Sequence, residues 1–355
     1  MFVRALLLGV LILAIAASPV LCQDEEASNS SAEMTTSGSL IPDIPGLKWT
    51  DGMCTFIGSL TLCLNHLGEK VTYQYLMGVS GAAFATRFFR DWCPSSADAA
   101  MNDDHPKAAM QAVGYFYTWA TTGDRSVIID SIDTSVPVIG IDLAGKDDWG
   151  IIVGYQYMGE TWLCRTYYDK SGAYYRTEKT PWSALIIGPK GGAPSMAQNA
   201  RNSIKLAVEF ARGEHKLPEY AVGLEAYSAW IEALQSKKLR NLAGKELEET
   251  AFTNALIYNS LIDARYAGVT HLTWVATVFK GDAKTHCEEA AKLYQEEVDI
   301  LKDARDYVKY PQNIKSGPKW SQDMRAYQIE ALRQALDKDK AAVAALEKIV
   351  NEKEN

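Results

Sequence analysis

The stretch Trp49-Thr50-Asp51-Gly52-Met53-Cys54-Thr55-Phe56-Ile57-Gly58-Ser59-Leu60 runs from a polar turn into an apolar helical pattern. Leu60, Leu64 and Leu67 recur at helical spacing, and Gly68 closes the run. The spacing therefore predicts a helix that begins at Cys54. A thiol at a helix start meets the positive end of the helix dipole, which lowers its pKa and favours the nucleophilic thiolate. Cys54 is accordingly the leading candidate for chemistry.

Outward from this helix, the chain divides by composition. Met1-Phe2-Val3-Arg4 leads into an apolar run over 5 to 17, then small residues up to Cys22 and the acidic Asp24-Glu25-Glu26. One positive charge, a short apolar core and small residues describe a secretory signal peptide over 1 to 22. The run is shorter than the roughly 20 apolar residues of a membrane anchor, and no later stretch qualifies either. A lipid-modified Cys22 is the alternative, but Leu21 is large for such a signal. The expected localisation is secreted, periplasmic or cell envelope. Residues 23 to 43 are rich in Ser, Thr, Glu and Ala, too polar to order themselves, and read as a tether. Asn29-Ser30-Ser31 would accept a glycan in a eukaryotic secretory pathway.

The remaining chain of roughly 310 residues exceeds one typical domain. The net charge of −8, from 36 Lys+Arg against 44 Asp+Glu, argues against nucleic acid or an anionic membrane surface as partner. Six cysteines include Cys22, so a processed chain keeps Cys54, Cys63, Cys93, Cys164 and Cys287. An odd number in an exported protein leaves at least one thiol unpaired. The alternative is that several are buried, reduced apolar fillers. Their spacing fits no zinc pattern, and no cofactor is expected.

Between 44 and 190, helical patterns come first: the Cys54 helix, a second from 71 to 78, and a third over 106 to 121. Gly78 and Gly81 stand close together, which points to a tight bend or a close backbone approach. Short β-branched and aromatic runs follow at 136 to 141, 149 to 155, 161 to 168 and 184 to 187. Helices followed by an antiparallel sheet make an α+β domain. Gly188-Pro189-Lys190-Gly191-Gly192-Ala193-Pro194 reads as a linker, and the rest as about five helices packed as an all-α bundle over 195 to 355. Leu224, Tyr227, Ile231 and Leu234 share one face, as do Ile329, Leu332, Leu336, Val343, Leu346 and Val350.

Cys54-Thr55-Phe56-Ile57-Gly58-Ser59-Leu60, the segment from Tyr73 through Gly81 to Phe84, Asp148-Trp149-Gly150-Ile151-Ile152-Val153-Gly154-Tyr155 and Arg165-Thr166-Tyr167-Tyr168-Asp169 together resemble the N-terminal domain of the butirosin biosynthesis protein H family. That bacterial group lies among the papain-like cysteine proteins, near the double-glycine leader peptidases. The resemblance covers about residues 46 to 190. It implies a papain-like fold, Cys54 as nucleophile, and Asp169 as the third member of a triad. Active relatives begin the strand at Trp149 with a histidine, where this chain has Asp147 and Asp148. A glutamine that helps bind the oxyanion is also missing from 46 to 53. A cysteine protease needs an imidazole to hold the thiolate and protonate the leaving amine, and a carboxylate beside the thiol works the other way.

Other histidines offer no evident replacement. His66 lies twelve residues along the same helix as Cys54, about 18 Å at 1.5 Å per residue. His105 and His215 fall in polar loops, and exposure is the expectation for His105. His271 sits in an apolar stretch and reads as a buried or interfacial histidine, with delivery to Cys54 the alternative. Asn254, Asn259, Asp263 and Arg265 either line a cleft or form a solvated helix face, and the solvated face is the expectation. Asp147, Asp148 and Trp149 are a polar turn before a buried strand or a ligand-contacting rim, with Gly81 and Phe84 as further candidates for that rim. Two functions remain open. One is a thiol-dependent amide or acyl hydrolase using Cys54 with Asp148 and Asp169. The other is a catalytically degraded papain-like module that binds a peptide, small molecule or cell-envelope ligand.

Overall fold

The computed structural model describes residues 38–170, 172–315 and 319–351. The expected signal peptide and most of the tether lie outside them. The last tether residues do not: β1 (Ser39–Leu40) pairs with the sheet, and Ile41 and Ile44 are buried. The Ile41 and Ile44 side chains join the hydrophobic core.

The helices α1 (Thr55–His66) and α2 (Tyr73–Val79) come first, then the short strand β2 (Arg87–Phe89) and a 3₁₀ turn at Pro94–Ala97. Next come α3 (Asp104–Val113), β3 (Tyr115–Thr121) and α4 (Arg125–Asp133). β4 (Val138–Ile141), β5 (Trp149–Gln156), β6 (Thr161–Arg165), β7 (Tyr175–Thr177) and β8 (Ser183–Lys190) complete the sheet. Its order is β3-β8-β4-β5-β6-β7, antiparallel at each pairing. One edge of β5 is shared: β4 takes 149–152, and β1 takes Gly154 and Tyr155. The chain is thus α+β with an antiparallel sheet and a C-terminal helical region.

Two expectations change here. The third helix stops at Val113, not 121, because Gly114 adopts left-handed φ 78° and ends it. The aromatic run that follows is then free to become the edge strand β3. The close approach of residues 192–193 also requires Gly114, since a Cβ there would lie 2.6 Å from the Ala193 nitrogen. The linker expected from 188 is strand through Lys190.

The helical region holds α5 (Met196–Ala211), β9 (Tyr220–Val222), α6 (Leu224–Gln235), α7 (Lys237–Arg240), α8 (Gly244–Val278), α9 (Gly281–Asp303) and α10 (Gln322–Asn351). It does not stand apart from the sheet. β9 pairs with β2, and one hydrophobic cluster runs from Ile57 and Ile151 to Ile204, Leu272, Tyr294 and Leu346. The pair of glycines serves this contact. A Cβ on Gly78 would meet the His271 ring at 1.9 Å, and Gly81, at φ +76°, packs against Phe210.

At the centre of the helices Arg265 is fully buried. Its guanidinium donates to Glu297 Oε1 at 3.2 Å, Asp339 Oδ2 at 2.7 Å and Tyr227 Oη at 3.1 Å. It also donates to the Ala83 carbonyl at 2.9 Å and Thr86 Oγ1 at 2.6 Å. Burial opposes the charge on Arg265, but Asp339, Tyr227 and Glu297 outweigh it and keep the cation firmly protonated. Glu297 is affected the other way. Burial raises its pKa, the Arg265 pairing lowers it, and Asp339 raises it again; burial wins.

Two predictions follow from this cluster. Arg265→Met leaves two buried acids without their cation and should cost about 3–5 kcal/mol in chemical denaturation. Glu297 has a folded pKa above its unfolded value. The stability it contributes is present below the ordinary carboxylate range and lost as pH rises through the raised value. Glu297→Gln, neutral at every pH, should therefore melt above the wild type at pH 9 and converge with it near pH 4.

Candidate functional site

Gly52, at φ +147°, lets the turn before α1 fold over the Tyr73 ring; a Cβ there would sit 2.3 Å from the ring. Cys54 follows as the extended N-cap of α1, 8% exposed. Its backbone N–H donates to Tyr73 Oη at 2.9 Å, and Tyr73 Oη donates to Asp263 Oδ2 at 2.5 Å. The Met53 N–H donates to the same oxygen at 3.1 Å. A carboxylate from α8 thus holds the turn that presents the cysteine.

Cys54 opens onto a cavity of about 60 Å³ between the sheet half and the helices. Room of this size suits several waters or a compact small molecule. Met77, Ile257, Leu261 and Trp230 supply apolar wall, while Arg87, Asp98, His105 and Asp263, with the hydroxyl residues Thr86, Ser96 and Ser260, supply polar groups.

Burial pushes the Cys54 thiol up to about 12. The Ile57 and Ala99 amides favour the thiolate, and Asp98 and Asp263 oppose it. The helix start does contribute, but no side-chain capping hydrogen bond forms, and desolvation is the larger effect. The lowered thiol pKa expected from the helix dipole is therefore reversed: Cys54 is a neutral thiol at pH 7. Among the described residues no imidazole is hydrogen-bonded to the sulfur.

Arg87 Nη1 donates to the Asp98 carbonyl at 2.6 Å, whereas buried Nη2 has no partner. Burial works against its charge. The Asp98 carboxylate takes the Trp149 indole N–H at 3.1 and 3.2 Å and the Ala100 amide at 2.9 Å. Its pKa is raised by burial. His105 is 1% exposed, contrary to the expected solvated loop: α3 carries it inward to stack on Phe210. Its Nδ1 lies 2.8 Å from the Ser80 carbonyl, which accepts only, so Nδ1 carries the proton and Nε2 a free lone pair. Burial, then the Arg87 charge, hold it well below the usual histidine range and hence neutral.

The other predicted residues are placed differently. Asp148 lies outside this cavity; it accepts the Tyr168 hydroxyl beside a smaller depression with Lys146 and Thr166, and burial raises its pKa. Asp169 closes its own turn, accepting the Thr166 amide at 2.9 Å and hydroxyl at 2.8 Å, with Arg165 3.7 Å away. Asp147 is exposed. Trp149 is buried and orients Asp98, and its backbone N–H donates to Thr55 Oγ1 at 3.1 Å. Gly81 and Phe84 belong to the core; Phe84 packs on Tyr294 and His271. His271 bonds Ser203 at 2.8 Å and is pushed down to about 3 by burial, so it is an interfacial histidine.

The polar residues of α8 are not a solvated face. Asn254, Asn259 and Arg265 are buried, and Asp263 lines the cavity. Arg87, Asp98 and Tyr73 were missed altogether; each is one ordinary polar residue with no local pattern to mark it. Among the described residues, no group of three or more His, Cys, Asp or Glu is placed to hold a metal ion, and no helix is long and apolar enough to cross a membrane. Cys54, Cys63, Cys93, Cys164 and Cys287 are free thiols, all buried except half-buried Cys93.

No family model matches the chain, and no curated protein matches it.

The thiol's protonation gives a direct expectation. Iodoacetamide labelling of Cys54 at pH 7, followed by mass spectrometry on the folded protein, should be at least about 100-fold slower than that of an ordinary thiol of pKa near 8.5, and urea should abolish the difference.

Proposed function

We propose that this is an exported, papain-like protein in which the nucleophile's position has become the wall of a binding cavity for a small polar molecule. The observation that carries the reading is the cavity itself. It joins a neutral, buried thiol to Arg87, whose buried Nη2 the protein leaves unsatisfied. Such a group costs stability when buried empty and gains it when a ligand completes it. The papain-like element rests on the Cys54 helix followed by an antiparallel sheet whose strand β5 starts beside it, through Trp149 and Thr55. Asp147 and Asp148 at that strand's start leave the thiol without the base a hydrolase uses.

A thiol-dependent amide or acyl hydrolase is the second reading, and one observation favours it. His105 shares the cavity with Cys54, with Nδ1–H fixed by Ser80 and Nε2 free to take a proton. Against it stands the energetic cost of creating a thiolate between Asp98 and Asp263.

A fragment panel of small carboxylates, amines and neutral amides separates the two readings when each member is tested for protection of Cys54 from labelling. Protection, with affinity kept within about threefold in Cys54→Ala, is the expected result. Rapid labelling below pH 7, or turnover of a thioester or amide that both Cys54→Ala and His105→Ala abolish, would establish the hydrolase instead.

A further inference from the structure

Arg87 is 7% exposed, and Nη1 is held on the Asp98 carbonyl at 2.6 Å. Its second terminal nitrogen has no acceptor. Asp98 and Asp104 act on the guanidinium from a distance, and burial is the larger effect. A buried donor left unpaired is costly, and a guanidinium already fixed by one bond loses little freedom in making the next. An oxyanion is the partner that suits it best.

Asp263 presents the complementary need. Its Oδ2 is saturated by the Met53 amide and the Tyr73 hydroxyl, while Oδ1 accepts no bond among the described residues. Tyr73 and the turn at 52–54 fix the carboxylate's orientation. Asp263 thus offers a positioned oxygen to a proton-rich group in the same cavity as Arg87. His105 Nε2 adds a second bare acceptor to that lining.

Resting on the binding reading above, we infer that the cavity takes a free α-amino acid with a small apolar side chain, its carboxylate on Arg87 and its ammonium on Asp263. A molecule bearing both charges satisfies both open groups and enters as a zwitterion, without bringing a net charge into the interior. Met77, Ile257 and Leu261 provide apolar wall for the side chain. A carboxylate alone would leave Asp263 Oδ1 open, and an amine alone would leave Arg87 Nη2 unpaired.

Isothermal titration and thermal shift on the full chain with L-alanine, L-valine, propionate and propylamine test this. L-alanine or L-valine should bind and raise Tm, propionate at least tenfold more weakly, and propylamine not measurably. Arg87→Gln should weaken amino-acid binding at least tenfold. Asp263→Asn should bring the amino acid down to propionate's affinity, a readout that survives if the Arg87 variant does not fold. Equal affinity for amino acid and propionate in the wild type would remove the ammonium site and overturn the inference. If none of the four binds while neutral fragments still protect Cys54, the ligand class is wrong and the binding reading stands. If no probe of any kind binds or protects, the binding reading fails with it.

Discussion

The Arg265 guanidinium is the joint on which the two halves of the chain depend. It is fully buried on α8, it ties α9 and α10 together through Glu297 and Asp339, and it reaches the loop before β2 through Ala83 and Thr86. Two acids for one cation is an awkward arrangement in a dry interior. It is tolerated because planar guanidinium donors and the Tyr227 and Tyr294 hydroxyls serve most of the acceptor sites. Thr86 is bonded to Arg265, and the next residue is Arg87. The core cluster thereby sets where the cavity cation stands.

Within the cavity one physical effect acts on every ionisable group. Burial raises Cys54, Asp98 and Asp263 and lowers Arg87 and His105, in each case away from the charged form. The helix amides near Cys54 push towards the thiolate but are the smaller influence. A papain-like nucleophile needs a neighbouring imidazolium to tip that balance. Here burial is the largest effect on the sulfur and the charges of Asp98 and Asp263 add to it, so a cysteine in a promising local position keeps its proton. The same desolvation makes the open Nη2 of Arg87 costly to leave empty.

Where the sequence was misread, the failures share a cause. The expected third helix ran through Gly114 because helical spacing of apolar residues continued into the aromatic strand; the glycine's left-handed backbone was the signal that separates them. His105, Asn254, Asn259 and Asp263 were assigned to solvent because polar side chains in polar surroundings usually lie there. Their placement depends on partners far along the chain: Asn254 on Trp230 and Gln328, Asp263 on Tyr73 and Met53. The paired glycines at 78 and 81 were legible as a close approach, but not as an approach to His271 and Phe210.

Local patterns in the sequence were sufficient for the α+β class, the helix beginning after Cys54, the strands around Trp149, Trp162 and Leu185, and the helical stripes of α6 and α10. These features repeat every two or about 3.6 residues, so a few neighbouring side chains specify them. The cavity, its ionisation states and the open faces of Arg87 and Asp263 came only from tertiary structure. Asp263 lies 190 residues from Tyr73 and 210 from Met53, and a pKa is set by burial and neighbours in space. Periodicity carries no information about either.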